Sequence, residues 1–453
     1  YFQAKSYQRA LDSFLQVIKK GGWDEEVAKA TLRIAQCYLA LQDVKNARKY
    51  FETASKDKGE IGLQAKLGLA LCDIQEEKYD SAIDSLSELI DNKPPDNILA
   101  YAYFNRGVAY EMKGWVVQAM DDFSKAMEKG KGDKALISSA QAHLTTCSSR
   151  YQQFQEEEEN YLKRIQASQK ADEIRDLYHE LARKCANIGE IDKGIEYEMK
   201  SLAYSYNDET YNAGAWMNIA WRYVMKKDYE KAGEAFKKVA DDYPNSEYAP
   251  EALLRAGDML SRAGKTDEAI KVYQEFSQRY PNDPRVSSVP QNIMFMTWAY
   301  ANRGDYEKAG QFFLTVAKLY PQTEQGREAL LRAGDMYSKA GKHEDAIKAY
   351  QEFVDKYPND PQVPSALMNI AWRYSDKKDY AKSAETFRKV ADKYPNSEVA
   401  KEALLRAGDM YSKAGKHEDA IKAYQEFAQK YPDDEQVSKA LLDIAWRYRA
   451  IYL

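Results

Sequence analysis

The dipeptide Tyr-Pro recurs at Tyr243, Tyr280, Tyr320, Tyr357, Tyr394 and Tyr431, at spacings of 37, 40, 37, 37 and 37 residues. A period of this size commits a chain to a repeat architecture, in which each unit buries its apolar face only against its neighbours. Between successive marks lie two helical patterns separated by a short break holding Gly, Lys and Asp, as in Gly304-Asp305-Tyr306 and Gly341-Lys342-His343. Each repeat reads as a helical hairpin, closed by a proline that cannot continue a helix.

The first helix of each hairpin carries a small residue followed three later by a large one: Ala220 and Tyr223, Gly257 and Leu260, Gly334 and Tyr337, Ala371 and Tyr374. The second carries an aromatic four after a small residue: Ala232 and Phe236, Ala269 and Tyr273, Ala309 and Phe313, Ala346 and Tyr350. These spacings place both residues on one helix face, where the small side chain admits a neighbouring helix and the ring fills the gap. The order small, aromatic, small, aromatic, Pro resembles the tetratricopeptide repeat (TPR). It recurs at Ala35, Tyr38, Ala47, Phe51 and Ala54, and at Gly107, Tyr110, Ala119, Phe123 and Ala126. The resemblance implies an all-α, right-handed superhelical solenoid of about twelve hairpins, and a groove that takes protein or peptide partners.

The pattern divides the chain into TPR-like repeats over 1–133, diverged repeats over 134–207, and a regular array over 208–453. In the middle segment Gln152 to Glu159 replaces an expected small residue and Gly194 stands where Ala is usual. Strings such as Tyr-Pro-Asn-Ser-Glu and Glu-Ala-Leu-Leu-Arg-Ala-Gly-Asp-Met most resemble TPR proteins of bacterial cell envelopes, the Tol-Pal coordinator and outer-membrane assembly lipoprotein types. That resemblance implies a cell-envelope or extracellular setting.

Alternate units differ. Trp221, Trp298, Trp372 and Trp446 are spaced 77, 74 and 74, and residues 328–353 repeat without change at 402–427. Cores tolerate many substitutions, so such identity records the copying of a two-repeat block.

Lys+Arg total 66 against Asp+Glu 71, a net charge of -5, so there is no basic surplus to release counterions from a nucleic-acid backbone. We find no apolar run long enough for a membrane-spanning helix. Cys37, Cys72, Cys147 and Cys185 have no metal or disulfide spacing and read as small core residues. His143 and Cys147 share a helix face, but two ligands make no zinc site. His343 and His417 are duplicates in a turn. No phosphate loop or nucleophile elbow appears, so the chain reads as non-enzymatic, with no cofactor and no metal.

The tryptophans carry the strongest functional signal. Each immediately follows the small packing residue and so points about 100° away from the hairpin centre. With Met217, Met294 and Met368 four residues earlier, they form a second apolar stripe. The intervening units place Asp258, Asp335 and Asp409 at the corresponding position. By the TPR resemblance this stripe lines the concave groove, where Trp beside Arg222 or Arg373 has the composition of a binding hot spot. The alternative is that each Trp seals the wall between adjacent repeats while each Asp pairs with a nearby cation. Aromatic faces beside carboxylates would also suit a carbohydrate.

Both ends fall inside a repeat, with eleven complete hairpins and a half at each end. The expectations are a longer parent protein, or head-to-tail self-assembly into filaments through Tyr1 and Phe14 at one end and Trp446, Tyr448, Ile451 and Leu453 at the other.

Overall fold

The computed structural model describes residues 6–21, 24–206 and 208–452. It resolves into two compact units, one ending at Tyr248 and the other beginning at Ala249. Among the described residues both are built from α-helices without a β-strand.

The first unit runs α1 (Tyr7–Lys20), α2 (Asp24–Ala40), α3 (Val44–Ala54), α4 (Glu60–Gln75), α5 (Tyr79–Asp91), α6 (Asp96–Met112), α7 (Val116–Lys129), α8 (Lys134–Ala167), α9 (Ala171–Ile188), α10 (Ile191–Leu202), α11 (Glu209–Met225) and α12 (Tyr229–Asp242). The second runs α13 (Ala249–Arg262), α14 (Thr266–Arg279), α15 (Val289–Asn302), α16 (Tyr306–Leu319), α17 (Glu324–Lys339), α18 (His343–Lys356), α19 (Val363–Asp376), α20 (Tyr380–Lys393), α21 (Ala400–Lys413), α22 (His417–Lys430) and α23 (Val437–Tyr452), with a short 3-10 turn, Pro284–Ser288, before α15. Within each unit successive helices pack as antiparallel hairpins, and first helices also touch the next first helix, as α2 does α4, and α15 does α17.

The repeat marks have direct structural causes. Tyr243, Tyr280, Tyr320, Tyr357, Tyr394 and Tyr431 each cap a second helix with φ between -127° and -130° and ψ between 52° and 58°, outside the helical region that a following proline disfavours. In the breaks, Asp228, Asp305 and Asp379 accept hydrogen bonds from the backbone N–H of Lys231, Lys308 and Lys382, starting the second helix. The small and aromatic positions form the core: Ala220, Ala232, Phe236, Ala309, Phe313 and Ala346 are fully buried. All four cysteines are buried and free.

The hairpin count differs at one place. The helix α8 is a single element of 34 residues, about 51 Å at 1.5 Å per residue, where the repeat arithmetic expects a pair. Its sequence from Lys134 to Ala167 contains neither Gly nor Pro, so nothing breaks the helix. Ten hairpins therefore form among the described residues, with α1, α8 and α23 as single helices. Beyond α8 the α9–α10 turn lies against α7, where Gln118 Nε2 donates to the Gly189 carbonyl at 2.8 Å. In the same unit Lys227 pairs with Asp84.

Candidate functional site

In the second unit the tryptophans stand at the border of two hairpins. Trp298 on α15 meets Phe313 of α16 edge-on, centroids 5.3 Å apart and planes at 72°. Trp372 on α19 meets Phe387 of α20 at 5.0 Å and 80°. In the first unit Trp221 meets Phe236 in the same way, at 5.2 Å. The ring is long enough to reach back to the hairpin core despite its 100° offset, so one edge seals the hairpin. The next first helix then lays an arginine over the ring: Arg332 of α17 lies 5.6 Å from Trp298, and Arg406 of α21 lies 5.4 Å from Trp372, within cation–π range. Trp298 and Trp372 are half-buried, and Trp221 is 39% exposed.

The arginines are held by acids on their own helix. Arg332 Nε donates to Glu328 at 3.0 Å and its guanidinium lies 3.7 Å from Asp335. Arg406 approaches Glu402 at 3.5 Å and Asp409 at 3.3 Å. Each aspartate is also bound by the tyrosine of its own hairpin: Tyr350 donates to Asp335 at 2.6 Å, Tyr424 to Asp409 at 2.7 Å, and Tyr273 to Asp258. Burial, and then the facing aspartate, pushes all three phenols well above their ordinary range.

Among the sequence-derived candidates, Met217, Met294 and Met368 are buried. Arg222 is 5% exposed and makes an ion pair with the fully buried Glu198 at 2.9 Å. Arg373 pairs with Asp376 at 3.1 Å, and its buried Nε has no hydrogen-bond partner among the described residues. Trp446 and Tyr448 on α23 are exposed, Ile451 is half-buried, and Phe14 packs beside the buried Ala10 and Leu11. Tyr1 and Leu453 lie outside the described residues.

Two adjoining clefts open beside these groups. One of about 420 Å³ lies between α17 and α19 and is lined by Arg327, Arg332, Asp335, Tyr350, Asp360 and Asn369. The other, about 270 Å³, has Trp298, Met336 and Arg373 in its wall. Both carry mixed charge. Sequence reasoning missed Arg332 and Arg406, although Glu328-x-x-x-Arg332-x-x-Asp335 and Glu402-x-x-x-Arg406-x-x-Asp409 have the i, i+4 and i, i+3 spacings of a same-face cluster. It also missed Phe295, which is 78% exposed on α15 at the position that Asn369 holds one block later.

No group of three or more metal-ligating side chains occurs among the described residues. Burial pushes the thiols of Cys147 and Cys185 up to about 12, far from a nucleophilic thiolate at neutral pH. His143 is bound to Glu111 at 2.6 Å and stacked on Phe123. Among the described residues no helix is long and apolar enough to cross a membrane.

Comparison with known protein families agrees with a repeat architecture. A family described as tetratricopeptide repeat matches residues 296–323, 328–360, 365–397 and 402–434. A tetratricopeptide repeat-like domain matches 138–281, and a further tetratricopeptide repeat family matches 1–61. A TPR repeat-containing protein of Methanocaldococcus jannaschii is 24% identical over 303 residues, covering 58% of this chain and 51% of its own length. The chain thus spans about half the length of that curated relative. Among solved structures, the Cut9–Hcn1 assembly of the APC/C aligns at 15% identity and a TM-score of 0.27, over 99% of this chain and 88% of that one. Yeast Tom70 aligns at 12% identity and a TM-score of 0.24, over 90% and 100%. With tetratricopeptide-repeat matches over 1–61, 138–281 and four stretches between 296 and 434, and ten helical hairpins among the described residues, the chain belongs to the tetratricopeptide-repeat superfamily.

Proposed function

We propose that the chain is a non-enzymatic scaffold or adaptor that binds protein or peptide partners along the faces of its first helices. The observation that supports this reading is the two pairs Trp298–Arg332 and Trp372–Arg406, half-buried aromatic and guanidinium groups in cation–π contact, the first of them beside open clefts of mixed charge. Trp and Arg are the side chains that most often dominate an interface, because they combine large contact area with directed polar groups. The envelope-type strings Tyr-Pro-Asn-Ser-Glu and Glu-Ala-Leu-Leu-Arg-Ala-Gly-Asp-Met support a bacterial cell-envelope subfamily within this reading.

The test is selection of a random displayed peptide library on the full chain, followed by hydrogen-exchange mapping of the enriched peptides. Protection on α15, α17 and α19 supports the reading. Enriched peptides that protect only the outer second helices, or the absence of any enrichment, contradict it.

A further inference from the structure

Three helices of the first unit meet over one buried carboxylate, at the junction where the regular repeats begin. Glu198 of α10 is fully buried, and its two oxygens face different neighbours, His179 of α9 at 2.7 Å and Arg222 of α11 at 2.9 Å. Gly194, one turn earlier on α10, leaves room for the guanidinium, since a Cβ there would lie 3.2 Å from Arg222 Nε.

The two contacts are unequal. His179 Nδ1 donates a hydrogen bond to Glu198, whereas Arg222 approaches off the hydrogen-bonding direction, so that Glu198 Oε2 and Arg222 Nε and Nη1 have no hydrogen-bond partner among the described residues. A buried carboxylate held in this way leans on the bond that is well made. That bond comes from the member of the trio in reach of solvent: the His179 side chain is 37% exposed, against 0% for Glu198 and 7% for Arg222. A solvent proton therefore reaches the junction through His179.

The groups around the imidazole leave it as the one whose charge changes near neutral pH. Beside it on α9, Glu180 is held below the ordinary carboxylate range by its hydrogen bond to Arg183. Arg175, one turn earlier, pairs with Asp176 at 2.9 Å and lies over the Tyr211 ring at 4.6 Å. On α11 Tyr211 meets the imidazole edge-on at 5.8 Å, and burial pushes its phenol up to about 12. The long helix α8 faces α9 farther along, through Glu157 and Lys184 at 2.8 Å. The hydrogen bond to Glu198 raises the His179 pKa, against burial and the repulsion of Arg222. The tie between His179 and Glu198 is therefore complete below the ordinary imidazole value of about 6.5 and weakens as pH rises through the folded one.

We propose that His179 is a proton-operated lock on the joint between the α9–α10 and α11–α12 hairpins: the imidazolium on Glu198 holds α9, α10 and α11 together, and the neutral imidazole lets the joint open locally. The lock is a conformational device independent of the scaffold reading.

The test is amide hydrogen exchange of the full chain from about pH 6 to about pH 9, with rates corrected for the intrinsic pH dependence of exchange. Protection in α10 and α11 falls about fivefold across this range, the share of a hydrogen bond to a charged group that goes with the charge, while α2 to α5 keep theirs. His179→Gln, which keeps a neutral donor, removes the pH dependence and leaves protection at the high-pH level of the unaltered chain. NMR titration of the His179 imidazole in the unaltered chain gives a check that needs no variant, since its midpoint coincides with that of the fall. Protection that is constant across the range, an equal fall in α2 to α5, the same fall in His179→Gln, or a His179 midpoint apart from the fall each overturns the proposal.

Discussion

Tyr350 donates its hydroxyl to Asp335 at 2.6 Å across a space that Gly334 keeps open. A Cβ built on Gly334 would lie 2.5 Å from the Tyr350 ring, and one on Gly408 would lie 2.6 Å from Tyr424. The adjacent Gly-Asp pair is thus one device: the glycine lets the ring lie against the first helix, and the aspartate one residue on receives its hydroxyl.

Gly334→Ala is therefore expected to destabilise the chain by about 1–3 kcal/mol, the usual range for overpacking a filled core. The effect should be read by chemical denaturation, with Gly257→Ala as the milder comparison, since its Cβ would lie 3.0 Å from Tyr273. Equal effects at the two sites would mean that the backbone, not the ring, decides the cost.

The same three tyrosines make stability depend on pH at the alkaline end. The phenols of Tyr273, Tyr350 and Tyr424 are raised in the folded state, chiefly by burial and then by the facing aspartates. A group with a raised folded pKa contributes stability that is complete below its unfolded value, about 10 for tyrosine, and is lost as pH rises toward the folded value. The melting temperature should hold up to about pH 10 and then fall steeply, with phenolate absorbance rising together with unfolding. Tyr350→Phe should flatten that fall and cost about 1–2 kcal/mol at neutral pH through the lost hydrogen bond.

Much of this architecture was legible in the sequence, because its causes are local. Tyr-Pro fixes a helix end through proline sterics, and Ala309 with Phe313 fixes a buried face through spacing alone. The single helix α8 was legible in principle, since 34 residues without Gly or Pro contain no break, but the period suggested a hairpin there. The tryptophan environment was only half legible. That Trp298 lies off the hairpin centre follows from its register, whereas Arg332 covers it from the next hairpin, a relation between residues 34 apart that depends on how the hairpins stack.

Arg222 and Glu198 give a third expectation. The carboxylate is fully buried, with the Arg222 guanidinium 2.9 Å from one oxygen and His179 Nδ1 2.7 Å from the other. Arg222→Leu leaves that charge with one partner and should cost about 3–5 kcal/mol, while the double variant Arg222→Leu with Glu198→Leu should recover much of the loss. The hydrogen bond to Glu198 raises the His179 pKa, so its contribution is present below the ordinary value near 6.5 and lost as pH rises through the folded one. The Arg222→Leu penalty should accordingly be larger above about pH 7 than below about pH 6, measured by denaturation at each pH.

The last expectation separates binding from packing at the tryptophan face. Because Trp372 lies edge-on against the fully buried Phe387, Trp372→Ala should cost about 2–4 kcal/mol, and weakened partner binding in that variant would be ambiguous. Arg406 covers the other side of the same ring and is half-buried, so Arg406→Gln should cost less than about 1 kcal/mol. The same holds for Arg332→Gln at Trp298. If the Trp–Arg pairs contact a partner, peptides that protect α17 and α19 should lose about tenfold in affinity on either arginine substitution while the melting temperature stays within a few degrees. If affinity is unchanged in both, the arginines serve only to shield the rings, and partner contact must be sought at the exposed Phe295 instead.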